Sequence, residues 1–270
     1  MYYETAEKLL EFIRKSPTAF HAVDTMKKTL AGHGFQELSE KELWSLTPGG
    51  NYMVTRNNSA LIAFSIPEKA PYSFHIMASH SDSPTFKIKE NPEITVEKAY
   101  VKLNVEKYGG MLMSSWLDRP LSVAGRVMVL EDGEIREKLV SVDRDILLIP
   151  NLAVHMNREA NDGYAYNAQK DMLPLYGTAG TKEPFGKLIA EAAGTSEENI
   201  LGHDLFLYNR VQGTVWGAER EFVSAGRLDD LQCAFASLEG FLSGGKKESI
   251  VFLTMRKWEA EPDRGQLLHF

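Results

Sequence analysis

Two clusters of imidazole and carboxylate side chains in this chain could hold a metal ion. The first is His80-Ser81-Asp82-Ser83-Pro84, which directly follows the apolar run 72–79. An imidazole that binds a metal through one ring nitrogen usually donates its other N–H to a carboxylate, and a residue two positions further on can supply that partner. The spacing therefore predicts a metal-ligating histidine, His80, with Asp82 as its orienting carboxylate.

Both clusters also have a purely structural interpretation. A lone histidine at the end of a strand is more often a hydrogen-bonded structural residue than a ligand. The second cluster, Asp229 and Asp230, lies at the start of the helical run 226–242 and favours the metal interpretation of His80. Acidic residues at a helix N-terminus also cap the helix and favour its dipole without any metal, so both interpretations of the aspartate pair stay open.

The elements before His80 predict the opening of an α/β domain. The β-branched and aromatic run 72–79 has the length of a buried strand that ends at His80. The chain before it predicts a first helix that stops at Ser16-Pro17, a second that carries Phe20, Val23, Met26 and Leu30 on one face before Gly32, and strands at 52–55 and 61–66. Helices and strands with a candidate ligand at a strand end are typical of α/β domains.

The middle of the chain predicts a β-rich segment. Alternating patterns extend from about residue 87 to about residue 222, with a hairpin turn at Asp132-Gly133 and one helix, 185–193, ended by Gly194. The chain then returns to helix at 226–242 and to a buried strand at 249–253. The simplest arrangement is an α/β domain interrupted by a β-rich insert.

Composition excludes several classes of protein. The chain has 270 residues, 43% hydrophobic and 25% charged, which is typical of a globular protein. A formal charge of −7, with no cluster of basic and aromatic residues, argues against a nucleic-acid partner. No apolar stretch approaches the length needed to cross a membrane, and the N-terminus is unlike a signal peptide. The single cysteine, Cys233, is predicted to be a core residue and forms no intramolecular disulfide, which fits the cytoplasm.

Six short blocks follow one another along the chain, at 80–84, 108–110, 116–119, 124–127, 149–158 and 226–229. Together they resemble the aspartyl aminopeptidase family of zinc metallopeptidases. The resemblance implies an α/β fold with a metallopeptidase domain, incomplete here, that a β-rich dimerisation domain interrupts. On this basis residues 1–88 and 223–252 belong to the metallopeptidase domain and residues 89–222 form the dimerisation insert.

The resemblance also implies an activity and a set of site residues. Members remove the N-terminal residue from peptides, some preferring acidic residues, with two zinc ions that a carboxylate bridges, and they form homo-oligomers through the insert. His80 matches a terminal metal ligand, Asp82 the carboxylate that orients it, and Asp229 the bridging ligand, whereas Asp230 stands where relatives usually have Asn. His155, which alone would be interpreted as a surface histidine, matches a residue that reaches the active site of a neighbouring subunit and helps to hold the substrate.

The catalytic glutamate of the family is missing from the expected place. Relatives carry it as the first Glu of a DNEE motif after the strand at 250–253, and the second Glu binds metal. The tail 253–270 lacks this motif, but its codons read one frame over can encode DNEEVGSRTRQGAASTF, with the Gly codon fixed by Trp258 and Glu259. We therefore expect a frameshift after about Phe252. The chain as written is expected to have no appreciable peptidase activity and to fold poorly, since an unfinished sheet exposes an edge and apolar core.

Two other functions stay open. A non-catalytic assembly or regulatory subunit would keep the insert and contribute His155 to a complete partner. Another metal-dependent amide hydrolase, such as a deacylase, would share the His-x-Asp arrangement. The block around His155 and the block Tyr108-Gly109-Gly110 argue against the deacylase.

Overall fold

The chain divides into two compact units. The computed structural model describes residues 2–69, 73–244 and 249–255. One unit comprises Met1–Ser83 and Gln212–Phe270, and the other comprises Pro84–Val211. An α/β unit made from two chain segments with a β-rich unit inserted between them is the architecture that the sequence predicts. The predicted insert, 89–222, starts five residues and ends eleven residues later than the second unit, Pro84–Val211. Its role as a dimerisation domain stays a prediction.

The N-terminal segment forms two helices and then four strands. They are α1 (Tyr2–Lys15), α2 (Ala19–Gly32), β1 (Gln36–Leu38), β2 (Asn51–Arg56), β3 (Ala60–Ser65) and β4 (Phe74–His80). Pro17, which lacks a backbone N–H, separates the two helices. The predicted apolar face of α2 is buried, because Phe20, Val23, Met26 and Leu30 recur at helical spacing and are at most 1% exposed.

The inserted unit is β-rich, as predicted. Its elements are β5 (Thr85–Val96), β6 (Tyr100–Tyr108), β7 (Leu121–Glu131), β8 (Glu134–Ser141), α3 (Ala160–Gly163), β9 (Leu175–Thr178), α4 (Phe185–Ala193) and β10 (Ile200–Asn209). The strands form an antiparallel sheet in the order β8-β7-β10-β5-β6-β9. The predicted hairpin turn at Asp132-Gly133 joins β7 to β8, and Gly194, in the left-handed conformation, ends α4 at the predicted position.

The C-terminal segment returns to the first unit and completes its described sheet. It contains β11 (Thr214–Trp216), β12 (Phe222–Ser224), α5 (Leu228–Ser243) and β13 (Ser249–Met255). The sheet order is β1-β2-β3-β13-β4, with β13 antiparallel to β3 and parallel to β4. The core of this unit lies between the sheet and the three helices α1, α2 and α5, where Ile13, Met26, Leu61, Leu231 and Phe235 are buried together.

Strand β4 and Cys233 are exposed, so the prediction that they are buried is wrong. Strand β4 is not buried: Phe74 is 69% and Ile76 65% exposed, because β4 lies at the edge of the sheet and pairs only with β13 among the described strands. Cys233 is exposed rather than part of the core, because α5 buries the face that carries Leu231 and Ala234 and Cys233 lies on the other side.

Several predictions fall on residues outside those described. These residues include Tyr72 at the start of the predicted strand and 256–270, which make up most of the tail predicted to be frameshifted. Among the helices that are described, none is both long enough and apolar enough to cross a lipid bilayer.

Candidate metal centre

His80 is the last residue of β4, at the edge of the sheet where β13 also ends. The two strands are parallel, with His80 paired to Met255 and Ser79 paired to Thr254. The carboxyl ends of parallel strands are where α/β sheets usually build their sites, because the chain leaves the sheet there. The predicted strand end is therefore confirmed, and it places His80 at a typical site edge.

The turn after β4 fixes Asp82 beside His80. The hydroxyl of Ser81, which is fully buried, donates a hydrogen bond of 2.8 Å to the carbonyl oxygen of Ser59, between β2 and β3. Asp82 is buried, and its Oδ1 lies 3.6 Å from Nδ1 of His80. This separation is slightly longer than a hydrogen bond. The predicted neighbourhood of imidazole and carboxylate is thus present, with the ring side chain still 42% exposed.

The aspartate pair lies on a distorted turn at the start of α5. Arg227, which precedes the helix, has φ 61° and ψ 21°, and Asp229 has the non-helical angles φ −86° and ψ 107°. The N–H of Leu231 donates to the carbonyl oxygen of Arg227 at 3.2 Å and closes the turn. The residue at the N-cap, Arg227, makes no side-chain cap hydrogen bond. Asp229 and Asp230 therefore do not occupy a regular first helical turn.

The structure brings Asp230 together with His80 and Asp82. One potential ligand atom from each of these three residues lies within 4.8 Å of the others. Burial raises the pKa of Asp230 to about 6, and the neighbouring carboxylate of Asp229, which accepts a hydrogen bond from the protonated Asp230 and carries a negative charge, adds to the shift. Asp229 itself, the predicted bridging ligand, is adjacent to this group but is not a member of it. Its predicted role is neither supported nor contradicted by this geometry.

These residues fit a divalent cation by their chemistry. Imidazole nitrogen and carboxylate oxygen are zinc ligands, and a catalytic zinc site keeps a position open beside three protein ligands. The hydroxyls of Ser79 and Thr254 are buried and have no hydrogen-bond partner within the described part of the chain. Since buried polar atoms normally have partners, this edge of the sheet has capacity for a ligand. A cation would also relieve the repulsion between the carboxylates.

His155 lies in the inserted unit. It is exposed in a turn at residues 154–156, between β8 and α3, where the N–H of Met156 donates to the carbonyl oxygen of Ala153 at 2.8 Å. The neighbouring side chains of Leu152, Val154 and Met156 are also exposed. An exposed turn is compatible with the predicted contact to another subunit, which stays a prediction.

The sequence alone did not identify Asp230 as a member of the three-residue group. It indicated Asp230 only as an extra negative charge beside the expected bridging ligand. The adjacency of two aspartates is the available signal, but it does not indicate which of the two carboxylates lies near His80. The contact between Ser81 and Ser59 was also missed, because no pattern relates a strand end to a turn earlier in the chain.

Comparison with known proteins points to one family of peptidases. The family described as aminopeptidase I zinc metalloprotease (M18) matches residues 12–254. A relative named "Probable M18 family aminopeptidase 2" from Clostridium novyi is 47% identical over 243 residues, which cover 87% of this chain and 56% of the relative.

Solved structures show the same fold. The structure of mApe1 from Chaetomium thermophilum has a TM-score of 0.85 and 31% identity, covering 93% of this chain and 62% of that chain. The structure of the S. cerevisiae mApe1 dodecamer has a TM-score of 0.79 and 27% identity, covering 94% and 60%. The chain thus spans little more than half the length of the curated relative that it matches.

Proposed function

The chain belongs to the aminopeptidase I zinc metalloprotease (M18) family, and we propose from that membership that its first unit carries metal ligands of an aminopeptidase. The proposed reaction is the hydrolytic removal of the N-terminal residue of a peptide at a site with two zinc ions. The observation that carries the proposal is the group His80, Asp82 and Asp230 at the carboxyl ends of β4 and β13.

Each side chain has a proposed task. His80 binds a metal through one ring nitrogen, and Asp82 holds the ring from the side of Nδ1. Asp229 would hold both ions by resemblance to the family, and Asp230 would supply a further carboxylate. When bound, the two cations supply Lewis-acid polarisation of the scissile carbonyl and acidify the attacking water. His155 from a neighbouring subunit helps to hold the substrate.

A zinc titration tests the ligand assignments. We expect purified chain 1–270 to compete with a chromophoric chelator for zinc, and His80→Ala to weaken its binding at least about tenfold. His33→Ala, which changes an exposed histidine at the end of α2, is the matched control and should bind as the wild type does. Wild-type affinity no higher than that of His80→Ala would contradict the site.

The aspartates are distinguished by a pair of isosteric variants. If Asp229 is the bridging ligand, Asp229→Asn in the frame-corrected protein, which carries the DNEE motif, weakens binding of the second zinc ion more than Asp230→Asn does. The opposite order would assign the bridge to Asp230, the aspartate that lies in the three-residue group. Circular dichroism of both variants checks that each retains the fold.

We also propose that the reading frame changes after about Phe252. Support comes from the shifted reading of codons 253–270 and from the family match, which reaches residue 254. Independent sequencing of the DNA through codons 249–270 should reveal one base lost or two bases added, and a restored DNEE motif. Repeated reads that reproduce the present frame would refute the frameshift.

Chain 1–270 itself is expected to hydrolyse no aminoacyl substrate at an appreciable rate. The sequence has Met255, Arg256 and Lys257 at the codons where relatives encode the acids, so the proton-transferring carboxylate is missing. A panel of aminoacyl substrates, given to this chain and to the frame-corrected protein with zinc, measures the difference. Zinc-dependent turnover by chain 1–270 would contradict this expectation. With the corrected protein, the panel also tests the proposed preference for acidic N-terminal residues.

The assembly and location are proposed by analogy. The dodecamer reported for S. cerevisiae mApe1 supports a homo-oligomer of this chain, assembled through the β-rich insert. Sedimentation equilibrium tests the assembly, and a monomer at micromolar concentration would refute it. The single cysteine supports a cytoplasmic location, because it can form no intramolecular disulfide.

A further inference from the structure

Arg227 connects the start of α5 to the end of α1. Its Nη2 donates a hydrogen bond of 3.0 Å to the carbonyl oxygen of Ile13, in the last turn of α1. That oxygen also accepts the N–H of Ser16 at 3.1 Å, so the guanidinium is its second donor. A cation at the end of a helix also interacts favourably with the helix dipole. The contact is half-buried, which reduces competition from water. Ile13 itself is buried in the core of the first unit.

The backbone of Arg227 provides a second anchor. Its φ of 61° and ψ of 21° lie in the left-handed region, which residues other than glycine rarely adopt. Its carbonyl oxygen accepts the N–H of Leu231 at 3.2 Å, and Leu231 is buried in the same core as Ile13. Residues 228–230 are therefore held between two points fixed in the core.

The position of the aspartate pair depends on these anchors, because the regular geometry of α5 is interrupted at Asp229. The backbone at Asp229 is non-helical, so the position of the pair follows from where the chain enters and leaves the turn. A shift of Arg227 would move Asp229 and Asp230 relative to His80, which a different element, β4, positions. The guanidinium thus acts on the carboxylates through the backbone that carries them.

We propose that Arg227 is a positioning residue for the metal centre: its guanidinium, bound to the end of α1, and its carbonyl, bound to Leu231, set the aspartate pair opposite His80. The nature of the ligand, zinc, rests on the proposed function, whereas the positioning itself is a property of the metal-free chain. A lysine would keep the charge but lose the planar fork of the guanidinium, and an alanine would lose both.

Amide hydrogen exchange of metal-free chain 1–270 tests the positioning directly. Arg227→Ala should raise exchange within residues 226–232 about tenfold, since it removes a charge-assisted hydrogen bond, and Arg227→Lys should raise it less. Phe12→Leu destabilises the same core without touching the guanidinium, because Phe12 packs against Phe235. Arg220→Ala removes an exposed arginine next to Tyr3 and should change nothing in this segment.

Zinc titration of the same variants tests the consequence. Arg227→Ala should weaken zinc binding about 10–100-fold, the usual effect of removing a residue that supports metal ligands. Ethylguanidinium added to Arg227→Ala should restore part of the lost affinity, an effect that a merely destabilised variant would not show. Phe12→Leu and Arg220→Ala should bind zinc as the wild type does.

The outcomes distinguish the positioning role of Arg227 from the proposed zinc site. If exchange within 226–232 rises no more in Arg227→Ala than in Phe12→Leu, the positioning role is wrong. It is equally wrong if both variants lose zinc affinity to the same extent at equal loss of thermal stability. If the exchange result is as expected but the wild-type chain binds no zinc, the proposed metal site fails while the positioning of the aspartate pair stands.

Discussion

Acidification should destabilise the first unit through His21, a histidine that the fold keeps neutral. His21 lies in α2, and its Nδ1 forms a hydrogen bond of 2.8 Å with the hydroxyl of Thr18, the residue before the helix. The pKa of His21 is lowered from 6.5 to about 4, mainly by burial; the negative charge of Asp24 opposes this shift, and the positive charges of Lys28 and Arg227 contribute to it. Between pH 6.5 and about 4, His21 is therefore mostly neutral in the folded chain and mostly protonated in the unfolded chain.

The sign and size of the effect follow from this difference in pKa. Between pH 6.5 and pH 4 the unfolded chain binds more protons than the folded chain, so the free energy of unfolding falls as the pH falls. The full contribution is present above pH 6.5. With about 1.4 kcal/mol for each pKa unit, the loss reaches about 2 kcal/mol at pH 5 and about 3 kcal/mol below pH 4.

Urea unfolding of the metal-free chain at two pH values measures this loss. Between pH 7.5 and pH 5.0, wild type should lose about 2 kcal/mol more than His21→Asn, which cannot take up the proton. His33→Asn, at the exposed end of α2, serves as the matched control and should follow the wild type. Equal losses in wild type and His21→Asn would refute the reasoning, because they would show that the buried ring is not excluded from protonation.

Three further predictions concern packing and exposure. In Gly125→Ala the new Cβ would overlap the carbonyl oxygen of Asp204 on the neighbouring strand. Urea unfolding should show that this variant has a free energy of unfolding about 1–3 kcal/mol lower than the wild type. Gly110→Ala, with open space around its Cβ position, should not lower it. Met26→Ala should lower the free energy of unfolding by about 2–5 kcal/mol, since Met26 is fully buried. A decrease below about 1 kcal/mol would contradict that burial. Cys233 should react with Ellman's reagent in the folded chain nearly as fast as in urea, and strong protection would contradict its exposure.

The elements that local signals determine were predictable from the sequence. Helix α4 begins at Phe185 and ends at Ala193 as predicted, because its apolar spacing and the left-handed Gly194 act within a few residues. The turn at Asp132-Gly133 is predictable for the same reason, since both residues adopt positive φ readily. The strand end at His80 follows from the length of one apolar run.

Features that depend on distant segments were not predictable in this way. The apolar composition of β4 indicated burial, but exposure depends on which strands flank it, and only β13 does so among the described strands. Cys233 lies close in sequence to Leu231 and Ala234, yet the helix rotates it away from the core that α1 and α2 complete. The membership of Asp230 in the three-residue group likewise depends on two elements, β4 and α5, that are far apart in the sequence.

The placement of the candidate ligands separates metal binding from catalysis. His80, Asp82, Asp229 and Asp230 all belong to the first unit, and Arg227 and Ile13, which anchor the aspartate turn, belong to it as well. The proposed zinc binding would therefore depend on the folding of this unit, and it can be measured without the subunit contact proposed for His155. Hydrolysis requires in addition a carboxylate that moves the proton. A chain that binds zinc tightly but does not hydrolyse peptides would thus show that these ligands assemble without the catalytic base.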